Sequence, residues 1–413
     1  MSKTENLIVN NLVYSIPPSS TAAIERSYKR GYFDNREYAA ERTMRAVVQT
    51  GAQYVNCANS TLVVKVKPTF DGDFVKWGIG SAANLFRNVR VFSKSGVELS
   101  NILNANLNRI IEDSFTESEE WWYTNGSLMG YSEAGSLNPA MEVSDTVYEF
   151  IIPLSKISPV FKPLGEQLMP AALASGLILE IDLDTASRAF VRGGGTSNSY
   201  TIEDIYLNLD CVTLNDSSVM TLNDITAKQL LEWSYIDVYN SNLTQNSGNS
   251  LLSTSINKSV SFADHIVATI QDQTGLEDAT NDTFVATWGE SAGKYQFTLG
   301  SVQLPSNVMV DSLEQTYFQA LSTYNRARDT NTEKSRMAGH LWPSRFRDLL
   351  AIKSTSFSKD QLLALSQLPI SSARSLRLDV DYTSGPIDNQ VCNIMLHYIK
   401  VAEISLSDVK INY

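Results

Sequence analysis

The chain has 413 residues, 43% of them hydrophobic and 19% charged, enough to bury two substantial cores and too apolar for a long disordered chain. Its formal net charge of −12 argues against a surface that grips nucleic acid through phosphates, because such binding needs a concentrated basic field. There is no run of eighteen apolar residues to span a membrane, and Met1 to Asn11 lacks the basic-then-apolar order of a secretory signal, so an intracellular product is expected.

Residues 1–45 read as a separate N-terminal arm, broken at Pro17-Pro18. Within it Arg26, Lys29, Arg30, Arg36, Arg42 and Arg45 face Glu25, Asp34, Glu37 and Glu41, a net of only +2 that predicts a solvated segment. The first unit, 46–216, opens with a strand at Thr61 to Lys67, where Leu62, Val64 and Val66 alternate with Val63, Lys65 and Lys67. Phe86 to Phe92 is a second strand, and Ser95-Gly96 turns the chain into Val97-Glu98-Leu99. Leu107, Ile110, Ile111 and Phe115 then recur at helical spacing, which predicts a helix over Ala105 to Tyr123. It runs into Trp121-Trp122-Tyr123, an aromatic cluster suited to core or subunit contact. Strands follow at Val147 to Ile152, Leu177 to Leu183 and Ile202 to Leu209, with Gly193-Gly194-Gly195 as a strand connection.

A linker at 217–232, with a possible helix at Thr226 to Leu231, leads to a second unit, 233–413. Its strands are expected at Tyr235 to Val238, Val260 to Phe262, Ile266 to Ile270 and Tyr295 to Leu299, its helix at Ser312 to Arg326, and a long apolar run at Val391 to Leu406. The two units echo each other. Pro170, Leu177, Leu179, Glu180, Ile181 and Asp182 recur 199 positions later as Pro369, Leu376, Leu378, Asp379, Val380 and Asp381. In both copies apolar residues alternate with charged ones, as a strand with one buried and one wet face requires, and both units place a helix between strands.

Chemistry is sparse. Cys57, Cys211 and Cys392 are scattered and odd in number, which fits reduced core thiols. His265, His340 and His397 are too dispersed for a cupin-type metal centre, and Asp71-Gly72-Asp73 and Asp278 to Asp282 lack the spacing of a calcium loop. Gly289-Glu290-Ser291-Ala292-Gly293 matches a nucleophile elbow, but Lys294 to Leu299 reads as a strand where the elbow needs a helix. No cofactor is expected.

The order of elements resembles that of the double jelly-roll major capsid proteins of double-stranded DNA viruses, nearest to those of Polinton-like viruses and virophages in the adenovirus hexon lineage. Leu85 to Phe92, Ile151 to Ser155, Leu168-Met169-Pro170 with Gly176 to Leu183, and Tyr295 to Pro305 carry the resemblance, which spans roughly residues 50–410. It implies an all-β chain with short helices, folded as two consecutive eight-stranded antiparallel jelly rolls. It also implies a homotrimeric, pseudo-hexameric capsomer tiling an icosahedral shell in the virion. The partners would be neighbouring capsomers with penton and minor capsid proteins, with an internal membrane allowed by the resemblance but not required, and with no sequence-specific nucleic-acid contact. Trp121, Trp122, Trp342 and Phe346 are the candidates for subunit contact, with intramolecular core as the competing reading. A carbohydrate-binding β-sandwich module and a hydrolase built on Ser291 are the other classes considered.

Overall fold

The computed structural model of the chain describes residues 23–131, 141–165, 167–228, 230–276, 278–280, 283–284, 293–305, 308–324, 352–357, 368–371, 375–382, 386, 388–405 and 409–412. Its principal strands fall into two sets of eight. The first set is β1 (Ala23–Tyr32), β2 (Thr43–Val47), β3 (Tyr54–Phe70), β4 (Phe86–Phe92), β5 (Glu98–Ile102), β6 (Tyr148–Pro153), β7 (Ile178–Leu183) and β8 (Asn198–Leu214). The second set is β9 (Leu231–Gln245), β10 (Leu251–Ile256), β11 (Val260–Asp272), β12 (Lys294–Leu299), β13 (Val302–Leu304), β14 (Lys353–Ser356), β15 (Leu376–Asp381) and β16 (Gln390–Ile404).

Each set builds two sheets of antiparallel neighbours. The first unit pairs its strands in the orders β1-β8-β3-β6 and β2-β7-β4-β5; the second repeats them as β9-β16-β11-β14 and β10-β15-β12-β13. Adding eight to a strand's number gives its counterpart, and consecutive strands switch between facing sheets except at the hairpins β4–β5 and β12–β13, the wiring of a jelly roll. The 199-residue repeat occupies equivalent places: β7 and β15 each lie second in their sheet. Leu179 and Ile181 on one, Leu378 and Val380 on the other, are fully buried, while the intervening acids face outward.

The helices are duplicated too. α1 (Ala105–Thr116) joins β5 to β6, and α3 (Leu313–Thr323) lies at the same place between β13 and β14; between the units runs α2 (Asp216–Lys228). α1 stops at Thr116 and helical backbone resumes at Glu119 to run through Gly126, so the predicted helix to Tyr123 is present but broken at Glu117. Glu117 adopts extended backbone there, and its carboxylate joins that of Asp113 on the Lys156 ammonium. Satisfying a nearly buried lysine thus outweighs continued helical propensity. Ser312 caps the start of α3, its hydroxyl accepting the Gln315 N–H at 3.1 Å.

Residues 23–45, expected in the arm, enter the first unit instead. β1 pairs with β8 along its length, Tyr38–Ala39 adds to β8 below it, and β2 starts at Thr43. The joint between the units also differs in extent, because α2 begins at Asp216 and β9 already runs from Leu231.

The two barrels share a polar seam. Trp233 Nε1 donates to the Val160 carbonyl at 2.9 Å and Tyr235 OH to the Leu99 carbonyl at 2.6 Å. Asp237 receives Ser100 Oγ at 2.6 Å from the first barrel, and Tyr398 OH and Lys400 Nζ, each at 3.1 Å, from β16. Asp237 and Lys400 are both buried. Removing one partner of such a pair strands the other charge, at about 3–5 kcal/mol. Asp237→Ala should therefore lose about that much in chemical denaturation, whereas Ser100→Ala, which deletes one neutral donor, should cost only about 1–2 kcal/mol.

Candidate assembly surfaces and the interbarrel cavity

The edge strand β1 carries the most exposed aromatic stripe among the described residues. Ile24, Tyr28 and Tyr32 are 67%, 59% and 61% exposed; Tyr28 and Tyr32 share one face with Arg26 and Arg30 because side chains alternate along a strand, and Ile24 sits at a bulge beside them. Both arginines are anchored. Arg26 forms a two-pronged pair with Asp210 of β8, Nε to Oδ1 at 2.7 Å and NH2 to Oδ2 at 2.6 Å. The Arg30 guanidinium lies 4.6 Å from the Tyr206 ring centre. The result is a pre-ordered strip of tyrosine, arginine and isoleucine, the composition that dominates binding energy at protein interfaces. Sequence reasoning missed it by counting charge over Arg26 to Arg45. The available signal was the even-numbered spacing of Ile24, Tyr28 and Tyr32.

The tryptophans named from sequence are placed differently. Trp122 is 1% exposed and packs edge-on against Tyr131 at 4.2 Å and Trp121 at 5.3 Å, so its surface is buried within the subunit. Trp121 is only partly buried, with the Lys156 ammonium 4.7 Å from its ring centre. Trp342 and Phe346 lie outside the described residues.

Other candidate chemistry resolves into structure. The Asp71 carboxylate is drawn down to about 2 by the Ser197 N–H and the Thr196 hydroxyl and N–H, which fasten two loops together. Asp278 likewise holds the Thr280 N–H and hydroxyl, its carboxyl lowered by those bonds. Among the described residues no three His, Cys, Asp or Glu side chains group as metal ligands. The cysteines are free and buried, and desolvation pushes the Cys57 and Cys392 thiols up to about 12. Ser291 and His340 lie outside the described residues, but Gly293 is followed by the strand β12, antiparallel to β15. No described helix is long and apolar enough to cross a membrane.

Between the barrels lies a cavity of about 350 Å³. α1 contributes Arg109 and Glu112, β11 contributes Asp264 and His265, and β16 contributes His397. His265 and His397 are opposite one another in the β11–β16 ladder, and their rings stack at 4.0 Å with a 15° tilt. Burial, reinforced by repulsion from His265, holds the His397 pKa well below the usual histidine value. Burial opposes ionisation of Glu112, but Lys162, Arg109 and Lys156 outweigh it and keep the carboxyl well below its usual range.

These groups predict opposite-looking titrations with one sign. The unfolded chain protonates His397 near pH 6.5 while the folded chain resists, so stability falls as pH drops below about 6.5, by up to about 1.4 kcal/mol per unit. Glu112 stabilises the fold above its unfolded value of about 4.3, and that contribution is lost only below it. Melting temperatures measured from pH 7 to pH 5 should therefore fall in the parent chain and flatten in His397→Gln, whereas a slope unchanged in the variant would contradict the assignment.

No protein-family model and no curated protein sequence matches the chain. Its architecture is that of a double jelly-roll protein. Solved structures with this fold include the PBCV-1 virus capsid, with a TM-score of 0.65 at 10% identity over 97% of this chain and 99% of that one. The Faustovirus major capsid protein gives 0.65 at 9% identity, covering 98% of this chain and 94% of that chain. The Sputnik virophage structure gives 0.60 at 12%, covering 97% and 91%. At these identities the likeness is one of fold.

Proposed function

We propose that this chain is the major capsid protein of a double-stranded DNA virus, assembling as a homotrimer whose six barrels form a pseudo-hexagonal block of an icosahedral shell. The observation that carries the reading is the end-to-end correspondence with the PBCV-1 capsid chain, 97% of one and 99% of the other. Two copies of one strand order per chain make a three-fold trimer nearly six-fold in outline, which is the property a hexagonal tile requires.

The mechanism is burial and shape, without catalysis. The β1 stripe supports subunit or capsomer contact: its tyrosines supply area with little side-chain entropy to lose, and its arginines are already ordered. Trp121 is a secondary candidate. The net charge of −12 fits a particle subunit that remains soluble before assembly and touches its genome through other components. Neighbouring capsomers, penton and minor capsid proteins complete the expected partners, and the mature location is the virion.

Light scattering after gel filtration should give three times the chain mass of 45.7 kDa, independent of concentration. A stable monomer at high concentration would sink this reading. The double substitution Tyr28→Glu and Tyr32→Glu should leave circular dichroism unchanged and reduce trimer or shell formation at least tenfold. Unaltered assembly by electron microscopy would remove β1 from the contact.

A further inference from the structure

The interbarrel cavity has properties that packing alone does not explain. Four buried side-chain atoms on its wall lack any hydrogen-bond partner among the described residues: Arg109 Nε, His265 Nε2, His397 Nε2 and Tyr324 OH. Arg109, His265 and His397 are each more than nine-tenths buried. Native interiors rarely leave such groups unmatched, and a cluster of them on one cavity marks a place for something else to bind.

The neighbouring charges are already matched. Glu112 accepts Lys162 Nζ at 3.1 Å and Arg109 NH1 at 3.3 Å, while Asp264 Oδ2 lies 2.7 Å from His265 Nδ1. With Nδ1 directed to Asp264, the His265 Nε2 faces the cavity without a partner among the described residues. Tyr324 stands 5.1 Å from the His265 ring, and burial keeps its phenol protonated. The unmatched set thus consists of two fixed donors, the Arg109 N–H and the Tyr324 O–H, and two imidazole nitrogens that become donors on taking up a proton. Across the cavity the wall is hydrocarbon, from Ile102, Ile236, Val238 and Leu164. Leu164 and Lys162 are about half exposed and form its mouth.

We propose that this cavity is a binding site for a small organic carboxylate with an apolar body, its carboxylate held by Arg109, Tyr324 and the stacked histidines and its body by the facing aliphatic wall. An anion is favoured because the acids present are engaged and each of the four orphaned atoms is a donor or can become one. An apolar body is favoured because Ile102, Ile236, Val238, Leu164, Pro159 and Pro163 make most of the remaining wall, with Asn108 and Ser155 among its neutral polar groups. Arg109 and Lys162 balance Glu112 and Asp264 in charge, so the incoming anion is accompanied by a proton on the imidazole pair. The complex ties α1, β11, β16 and the end of α3 together, and its occupancy should stiffen the seam. The site stands independently of the capsomer reading.

Benzoate is a suitable probe, with benzyl alcohol as its neutral counterpart and inorganic phosphate as an anion without an apolar body. Titration calorimetry on the full chain, in buffers of different ionisation enthalpy, should show benzoate binding with uptake of about one proton and affinity falling several-fold from pH 6 to pH 8. Benzyl alcohol and phosphate should each bind at least tenfold more weakly. Tyr324→Phe should weaken benzoate several-fold, and the cavity-filling Val238→Phe should abolish it. Should Val238→Phe fail to fold, Tyr324→Phe and His397→Gln still decide the matter. No benzoate binding at millimolar concentration, equal binding of benzyl alcohol or phosphate, or indifference to Tyr324→Phe would each overturn the proposal.

Discussion

Asp237 is the carboxylate on which the two-barrel arrangement depends. It takes one hydrogen bond from Ser100 in the first barrel and two from Tyr398 and Lys400 in the second, in a setting closed to water. An apolar seam could slide, because hydrophobic burial is insensitive to direction. A buried carboxylate with three fixed donors tolerates one relative placement, since any shift leaves a charge uncompensated. Trp233 and Tyr235, donating to carbonyls across the same seam, add two further constraints of the same kind. The cost of a polar seam is thereby offset by a fixed spacing of the two barrels.

Duplication explains why the seam contains helices. Each barrel inserts one between its fifth and sixth strands, and the two meet where Phe115 near the end of α1 stacks on Tyr324 after α3, 5.2 Å apart and within 6° of parallel. The copies have since diverged in role. α1 is almost wholly buried and bears the charge cluster of Arg109, Glu112 and Asp113, while α3 leaves Phe318 exposed. The cavity and its histidines lie beside this meeting point, so the features most open to ligand or proton control occur where the symmetry between barrels is broken.

The exterior follows a different logic. β1 is an edge strand, a place where unpaired backbone invites association, and it displays tyrosines and ordered arginines there. The strip is aromatic, with Arg26 neutralised by Asp210 and Arg30 held over Tyr206.

Strand positions such as Phe86–Phe92, the burial of Leu179 and Ile181 with their counterparts Leu378 and Val380, and a helix in each unit were all legible in the sequence. They depend on side-chain period and on turn residues, which are local properties of the chain. The duplication was legible for the same reason, since equivalent strands face equivalent cores. What only the tertiary structure decided rests on partners remote in sequence. Arg26 becomes part of a barrel edge through Asp210, 184 residues away, and Asp237 becomes a seam through Ser100, 137 residues away. His265 and His397 share a cavity only because a ladder register sets them opposite each other. Local pattern says which face of a strand is apolar; which strand that face meets, and which charges are thereby enclosed, is fixed only when distant segments pair.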